Sequence, residues 1–331
     1  MQFPERLAFV RVLVAALIGS AVNSLPAQLP LPNARPVPRF QAVPLPYDQV
    51  SFTRDGAEIS RLHFGPTLNR PFVFPVIGPG GRPVTRMGHP HDPVGHSHHN
   101  SIWVAHHDVN GVTFWGDRAT NAGRIIGQRC ELLEDGAAST AATIITHWTD
   151  KDGRVLVQER RRTAVEALPN NEWLLVVDLL LEPRGKDATF GKTPFGLFAV
   201  RMAKTIGVND GGGTIRNSAG NVDEQGENGC FWKSARWCDY SGPIAPGANE
   251  GATLLDHPSN PNHPTVFHVR VDGWMGSSLT FDAPRVVPLG KPLQLRYAVY
   301  IHAGVPTVAA LNQRWEIFAA TQPHDFTLKK K

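Results

Sequence analysis

Residues 139–168 read STAATIITHWTDKDGRVLVQERRRTAVEAL. Two long runs, about 139–149 and 154–167, alternate apolar and polar residues and are rich in Thr, Ile and Val. A period of two with β-branched residues is the pattern of a half-buried strand. Between them, Asp150-Lys151-Asp152-Gly153 supplies Asp-Gly, which accepts the positive φ of a tight turn. A second turn at Pro169-Asn170-Asn171 leads into WLLVVDLLLE (173–182). The apolar residues on both faces of LLVVDLLL predict a strand covered by two layers. The three runs form an antiparallel meander. The arginine run Arg160–Arg162 alternates faces on its strand and reads as a solvated edge.

Outward from this unit the rhythm stays β. EISRLHF (58–64), PFVFPVI (71–77), SIWVAHHDV (101–109) and VTFW (112–115) are short apolar runs divided by Gly, Pro, Asn and Asp. With 31 Gly and 28 Pro in 331 residues, punctuation comes too often for long helices. No run carries a convincing 3.6-residue period; the best helix candidate is short, around VPTVAALNQRWEIFA (305–319). There is no internal repeat, no βαβ alternation and no Gly-rich phosphate loop. The expected fold is all-β: one large antiparallel β-sandwich over 48–331.

Residues 1–27 read as a signal peptide. Arg6 and Arg11 precede the apolar core VLVAALIGSAV (12–22), and small residues follow, with cleavage expected after Ser24 or Ala27. The core is shorter than the roughly 20 residues needed to span a bilayer, so no stable transmembrane anchor is expected after cleavage. The alternative is an uncleaved anchor. A Pro-rich linker is expected over 28–47, with six prolines between Pro30 and Pro46. The predicted location is therefore periplasmic or extracellular. Net charge is +4, with the basic residues scattered, which argues against a nucleic-acid partner. Three cysteines in an exported chain allow one disulfide, and Cys230 and Cys238 are the nearest pair. Buried free thiols are the alternative.

Histidine placement is the sharpest functional signal. Of 14 histidines, seven fall in TRMGHPHDPVGHSHHNSIWVAHHDVNGVTFW (85–115): His89, His91, His96, His98, His99, His106 and His107. The front half should be a loop; the back half should be a strand, an Asn110-Gly111 turn and another strand. His96 and His98, and likewise His89 and His91, are spaced i, i+2. On an extended chain each pair points to one face and could ligate a divalent metal such as Zn²⁺ or another first-row ion. His99 would then point the other way. Without metal, imidazole serves as general acid or base near neutral pH.

A second polar and aromatic cluster lies in GENGCFW (226–232), ARWCDYSG (235–242), DHPSNP (256–261) and FHVR (267–270). Tryptophan beside planar polar groups is the composition of a sugar-binding cleft, although at least half of the eight tryptophans should be core. The catalytic candidates are His91, His96, His98, His99, Glu227 and His302, the last being otherwise a buried, satisfied histidine. Arg86, Asn100, Trp103, His106, Asn110, Trp115, Arg201, Trp232, Trp237, Asp239, Tyr240, His257, Asn260, His268 and Arg270 are the candidates for substrate binding.

GPGGRPVTR (78–86), GHSHHNSIWVAHHDVNGVTFW (95–115), TPFGLFAVRMA (193–203), ARWCDYSG (235–242), DHPSNPNHPTVFHVR (256–270) and YAVYIHAG (297–304) together resemble the PmoA-like family of exported bacterial proteins. Its members carry the label "methane oxygenase PmoA". Where they tend to read His-Pro-His-His-Arg-Ser, this chain has His96-Ser97-His98-His99-Asn100-Ser101, and His107 stands where a glycine is expected. The resemblance implies a sandwich like that of the galactose-mutarotase-like sugar enzymes, with histidines and a carboxylate, Glu227 or Asp239, across a cleft. Three readings follow. The first is an exported carbohydrate-active enzyme of proton-transfer, lyase, epimerase or hydrolase type acting on a small-molecule or glycan substrate. The second is a non-catalytic carbohydrate-binding or cell-surface module. The third is the copper oxygenase subunit of the family label.

Overall fold

Two large antiparallel sheets and one two-stranded sheet build the described residues. The computed structural model describes residues 36–88 and 96–327. In chain order the strands are β1 (Phe40–Leu45), β2 (Gln49–Arg54), β3 (Ala57–His63), β4 (Phe72–Val76), β5 (Ile102–Val104), β6 (Arg124–Glu134), β7 (Ser139–Thr149), β8 (Val155–Ala167), β9 (Trp173–Pro183) and β10 (Ala188–Phe190). They continue with β11 (Leu197–Arg201), β12 (Thr214–Asn217), β13 (Lys233–Ser234), β14 (Trp237–Ala245), β15 (Ala248–Asp256), β16 (Val266–Arg270), β17 (Trp274–Ser278), β18 (Arg285–Val287) and β19 (Leu293–Ala303). Two helices are present among the described residues, the single turn α1 (Val208–Gly211) and α2 (Val308–Ala319).

One sheet runs β1-β2-β3-β4-β5-β11-β17-β16-β13, and the other runs β12-β14-β15-β19-β9-β8-β7-β6. The expected meander is β7, β8 and β9, turned at Gly153 with φ +82°. Its inward residues, including Ile144, Val165, Leu175 and Val177, join Phe52, Val104, Phe198 and Met275 of the other sheet in the core. That is the two-layer sandwich expected from the pattern. Strand β9 is buried on both faces, because the outer-face residues Leu174 and Val176 pack under Leu311 and Phe318 of α2. Helix α2 starts at Thr307, whose Oγ1 accepts from the Ala310 N–H at 3.2 Å.

Two expectations change, and one open alternative is decided. The proline-rich linker reaches only to the residues before Phe40, because 40–45 is strand β1 and a compact unit begins at Pro38. The prolines of an edge strand cost no ladder bond on the open side. The arginine run is no edge. Strand β8 lies inside its sheet, and Arg161 is 2% exposed against Glu159, which also accepts from the Trp148 indole at 2.7 Å. Cys230 and Cys238 are buried free thiols, both in the core. The expected signal peptide, 1–27, lies outside the described residues.

Candidate functional site

The outer face of the nine-stranded sheet carries a row set by register. Phe72 (β4) pairs with Trp103 (β5), Trp103 with Ala199 (β11), Ala199 with Gly276 (β17), and Gly276 with His268 (β16). Their sequence neighbours Ile102, Phe198, Met275 and Phe267 point into the core, so strict alternation turns this row outward. The middle of the row is small. A Cβ on Gly276 would stand 3.1 Å from Trp274 Cζ3, so the glycine lets that ring lie flat over the sheet. The next row is Arg201, Trp274 and Arg270.

The turn at His96–Ser101 closes over this floor. It is held from several directions. The His99 N–H donates to His96 O (3.0 Å), the Gly88 N–H to His99 O (2.6 Å) and the Arg201 N–H to Ser101 O (2.6 Å). Gly88 is needed here, since a Cβ would meet His96 O at 2.0 Å. Arg70 is the main staple. It is 2% exposed and donates to the carbonyls of His98 (2.9 Å), Trp115 (3.0 Å) and Phe114 (3.2 Å), to Asn100 Oδ1 (2.7 Å) and to Asp117. The fixed fork of a guanidinium can serve five such acceptors; an ammonium cannot.

Because the segment turns, the expectation for an extended chain fails. His98 and His99 do not diverge: their rings meet edge-on at 4.5 Å, while His96 stacks on His99 at 4.5 Å. His99 is wedged against Trp103 (5.1 Å) and Trp274 (5.1 Å), with Trp115 behind. His268 packs on Trp274 at 4.4 Å and Phe195 at 5.1 Å.

The charged partner of this cluster is Asp272. Its Oδ2 lies 3.0 Å from His96 Nδ1, and its Oδ1 lies 3.3 Å from Arg201 Nη1. Arg201 Nη1 is also 3.4 Å from His99 Nδ1. A guanidinium only donates, so His99 Nδ1 accepts and its proton sits on Nε2. His96 Nδ1 faces the Asp272 carboxylate, which can only accept. Burial works against the Asp272 charge, but the His96 hydrogen bond and the Arg201 charge outweigh it and hold Asp272 below the usual carboxylate range. Burial, with the Arg70 charge, pushes His98 down to about 4. Burial, with the Arg270 charge, does the same to His268, again to about 4. His99 is held well below its ordinary value, by burial first. These three rings are neutral at pH 7. His96, Phe195, His268, Arg270, Asp272 and Trp274 line a cavity of about 330 Å³, at the small end for ligand pockets.

The candidates named from sequence divide sharply. His96, His98, His99, Trp103, Trp115, Arg201, His268 and Arg270 meet in this site, with Trp232 at its border, its ring 6.1 Å from His268. Asn100 holds Arg70 and shapes the loop, and the Arg86 N–H donates to Arg201 O at 3.0 Å. Glu227 is exposed in a turn; the carboxylate of the cluster is Asp272. His106 is 0% exposed, its Nδ1 lying 2.8 Å from Asp108 O and its Nε2 2.8 Å from Thr280 Oγ1. Asn110 forms a turn with Gly111, φ 54° and 83°, and braces Thr189 through its side chain.

The second cluster belongs elsewhere. Trp237, Asp239 and His302 face outward on the eight-stranded sheet, beside α2, with both sheet layers between them and the histidine site. Asp239 accepts from Arg216 (2.6 Å), Ser241 (2.7 Å), Thr253 (2.8 Å) and His302 (3.0 Å), with Asp239 and His302 both 0% exposed. Tyr240 points into the core and bonds to the Arg270 and Val271 carbonyls at 3.1 and 3.2 Å. His257 is satisfied by Ser259 and the Thr321 carbonyl, and Asn260 by Asp256 and Arg296. All six are buried and hydrogen-bonded within the fold. Six tryptophans are buried: Trp103, Trp115, Trp148, Trp173, Trp237 and Trp274.

His89 and His91, read with His96 and His98 as metal ligands, lie outside the described residues. Among the described residues no group of three His, Cys, Asp or Glu side chains could hold a metal ion. No helix among them is long and apolar enough to cross a membrane. Sequence reading missed Arg70, Phe195, Asp272 and Trp274. The turn Asp272-Gly273-Trp274, next to His268 and Arg270, was the available signal.

A family described as of unknown function, DUF6807, matches residues 49–316. The chain belongs to DUF6807. The match runs from β2 into α2, so the whole DUF6807 site lies within it. Among curated proteins none matches this DUF6807 chain.

Proposed function

We propose that this DUF6807 protein is an exported enzyme that transfers a proton on a carbohydrate, with His96 as the acid–base group. The observation that carries the reading is the His96–Asp272 pair at the wall of a cavity lined by Trp274 and Phe195. With the His96 proton on Nδ1, beside Asp272, the Nε2 lone pair of this cavity-lining ring is left to accept a proton from a sugar carbon or hydroxyl. An oriented imidazole backed by a carboxylate is the usual acid–base arrangement. The aromatic rings supply faces for sugar C–H surfaces, and Arg270 supplies paired donors for hydroxyls. The neutral rings of His98 and His268 serve as hydrogen-bonding groups rather than as acids. Export rests on the 1–27 segment, and the resemblance to the PmoA-like family agrees with it.

The test is a screen of sugars and glycosides for thermal stabilisation and turnover, with His96→Ala, His98→Ala and His99→Ala in parallel. Turnover lost in His96→Ala with sugar binding kept supports the enzyme. Turnover unchanged in all three overturns it. A non-catalytic carbohydrate-binding role is the second reading, favoured by the exposed ring of Trp232. It predicts binding without product in the unaltered protein.

A further inference from the structure

We infer that Trp232 is the platform of a second sugar subsite beside the His96–Asp272 cavity, so that the substrate is an oligosaccharide or glycoside spanning at least two rings. This deepens the carbohydrate reading of the same site and rests on it.

Of the eight tryptophans, Trp232 alone is exposed, at 46%. An exposed indole on a surface turn would ordinarily be mobile. This one is clamped. Its ring stacks on Phe231 at 4.5 Å and 22°, meets Phe281 edge-on at 5.5 Å, and stands edge-on to His268 at 6.1 Å. Its backbone N–H donates to Phe267 O at 2.9 Å. Its backbone is left-handed, φ 57°, which a bulky residue rarely adopts and which glycine would take without strain. Strain of this kind persists where the surroundings over-determine it, and it collects at ligand sites.

The placement relative to the cavity gives the ligand class. His268 is shared: it lines the cavity and touches Trp232. Arg270 is shared as well: it lines the cavity and lies over the Phe231 ring at 5.6 Å. Arg270 is held on its other side by the buried Glu224 at 3.3 Å. A flat apolar face beside a fixed guanidinium matches a pyranose, whose C–H face stacks while its edge hydroxyls take donors in pairs. The cavity of about 330 Å³ is small, and the indole lies outside it. A ligand touching both His96 and Trp232 therefore extends past one ring.

The experiment is a length series. Binding of gluco-, xylo- and manno-oligosaccharides of one to four rings is measured by calorimetry on the full protein, Trp232→Ala, Trp232→Phe and His96→Ala. Affinity should rise roughly 3- to 10-fold from one ring to two, the range of an aromatic stacking contact. Trp232→Ala should remove that rise and leave single-ring affinity unchanged, and Trp232→Phe should keep most of it. If single sugars bind and longer ones bind no tighter to the unaltered protein, the subsite is overturned and the cavity reading stands. A loss of single-ring affinity in Trp232→Ala equal to the loss for longer chains also overturns it. If no sugar of any length binds, the carbohydrate reading falls and the subsite with it. The series on the unaltered protein decides even if Trp232→Ala fails to fold.

Discussion

His96 and Asp272 approach across more than 170 residues of sequence, Nδ1 to Oδ2 at 3.0 Å, with Arg201 Nη1 on the other carboxylate oxygen at 3.3 Å. The contact joins a loop turn to the β16–β17 hairpin. It places a carboxylate beside the ring of His96, the acid–base group of the proposed function.

Asp272→Asn removes the charge and keeps the shape. Once a substrate is in hand, turnover should fall by about 10²- to 10⁴-fold, the range for a disabled general acid–base group. The pH profile of kcat should change with it while sugar affinity holds. Wild-type turnover in Asp272→Asn would show that the pair does not drive the reaction.

Arg70→Met should destabilise the protein by about 3–5 kcal/mol, the range for breaking a buried ion pair. It leaves the carbonyls of His98, Phe114 and Trp115 without a donor. Urea unfolding measures this. Arg70→Lys should recover little, because an ammonium lacks the planar fork. Full rescue by lysine would mean that charge alone matters.

Acid should weaken the fold earlier than carboxylate protonation would. Burial pushes His106 down to about 3, and His98 and His268 to about 4. The unfolded values are near 6.5. As pH falls below 6.5 the unfolded chain takes up these protons and the native chain does not. Stability is therefore full above about 6.5 and is lost toward the folded values. Each buried histidine adds up to about 1.4 kcal/mol per pH unit to the slope. Urea midpoints between pH 7.5 and 5 report it, and His106→Gln should flatten the slope by about one proton. A flat curve over that range would contradict the buried-neutral state.

Asp239→Asn should lower the melting temperature and leave sugar binding and turnover untouched at temperatures where it is folded. Asp239 gathers Arg216, Ser241, Thr253 and His302 on the far sheet. Loss of turnover in a folded Asp239→Asn would return the His302–Asp239 pair to the catalytic machinery.

Local chemistry alone carried the strands and the fold class. The two-residue period of 139–167, the Asp-Gly turn at 152–153 and the doubly apolar run 174–181 each have one good local solution, and the strands formed there. The helix at 308–319 was only a weak candidate in the sequence, because it is short and much of its apolar face is set by packing on β9. The histidine-rich turn was legible as a gathering point, since eight of the named residues meet there. Which residues were its partners was not. Asp272, Trp274 and Phe195 come from strands and turns far along the chain, brought in by the register of β5, β11, β17 and β16. Asp239 and His302 looked like the same chemistry and went to the opposite sheet, because period-two alternation says that a residue faces outward but not which layer it faces out from. Composition and local spacing specify elements, whereas strand order and register are long-range properties. Only those properties placed a carboxylate against His96, buried Arg161 in a strand that read as an edge, and left Trp232 exposed beside the cavity.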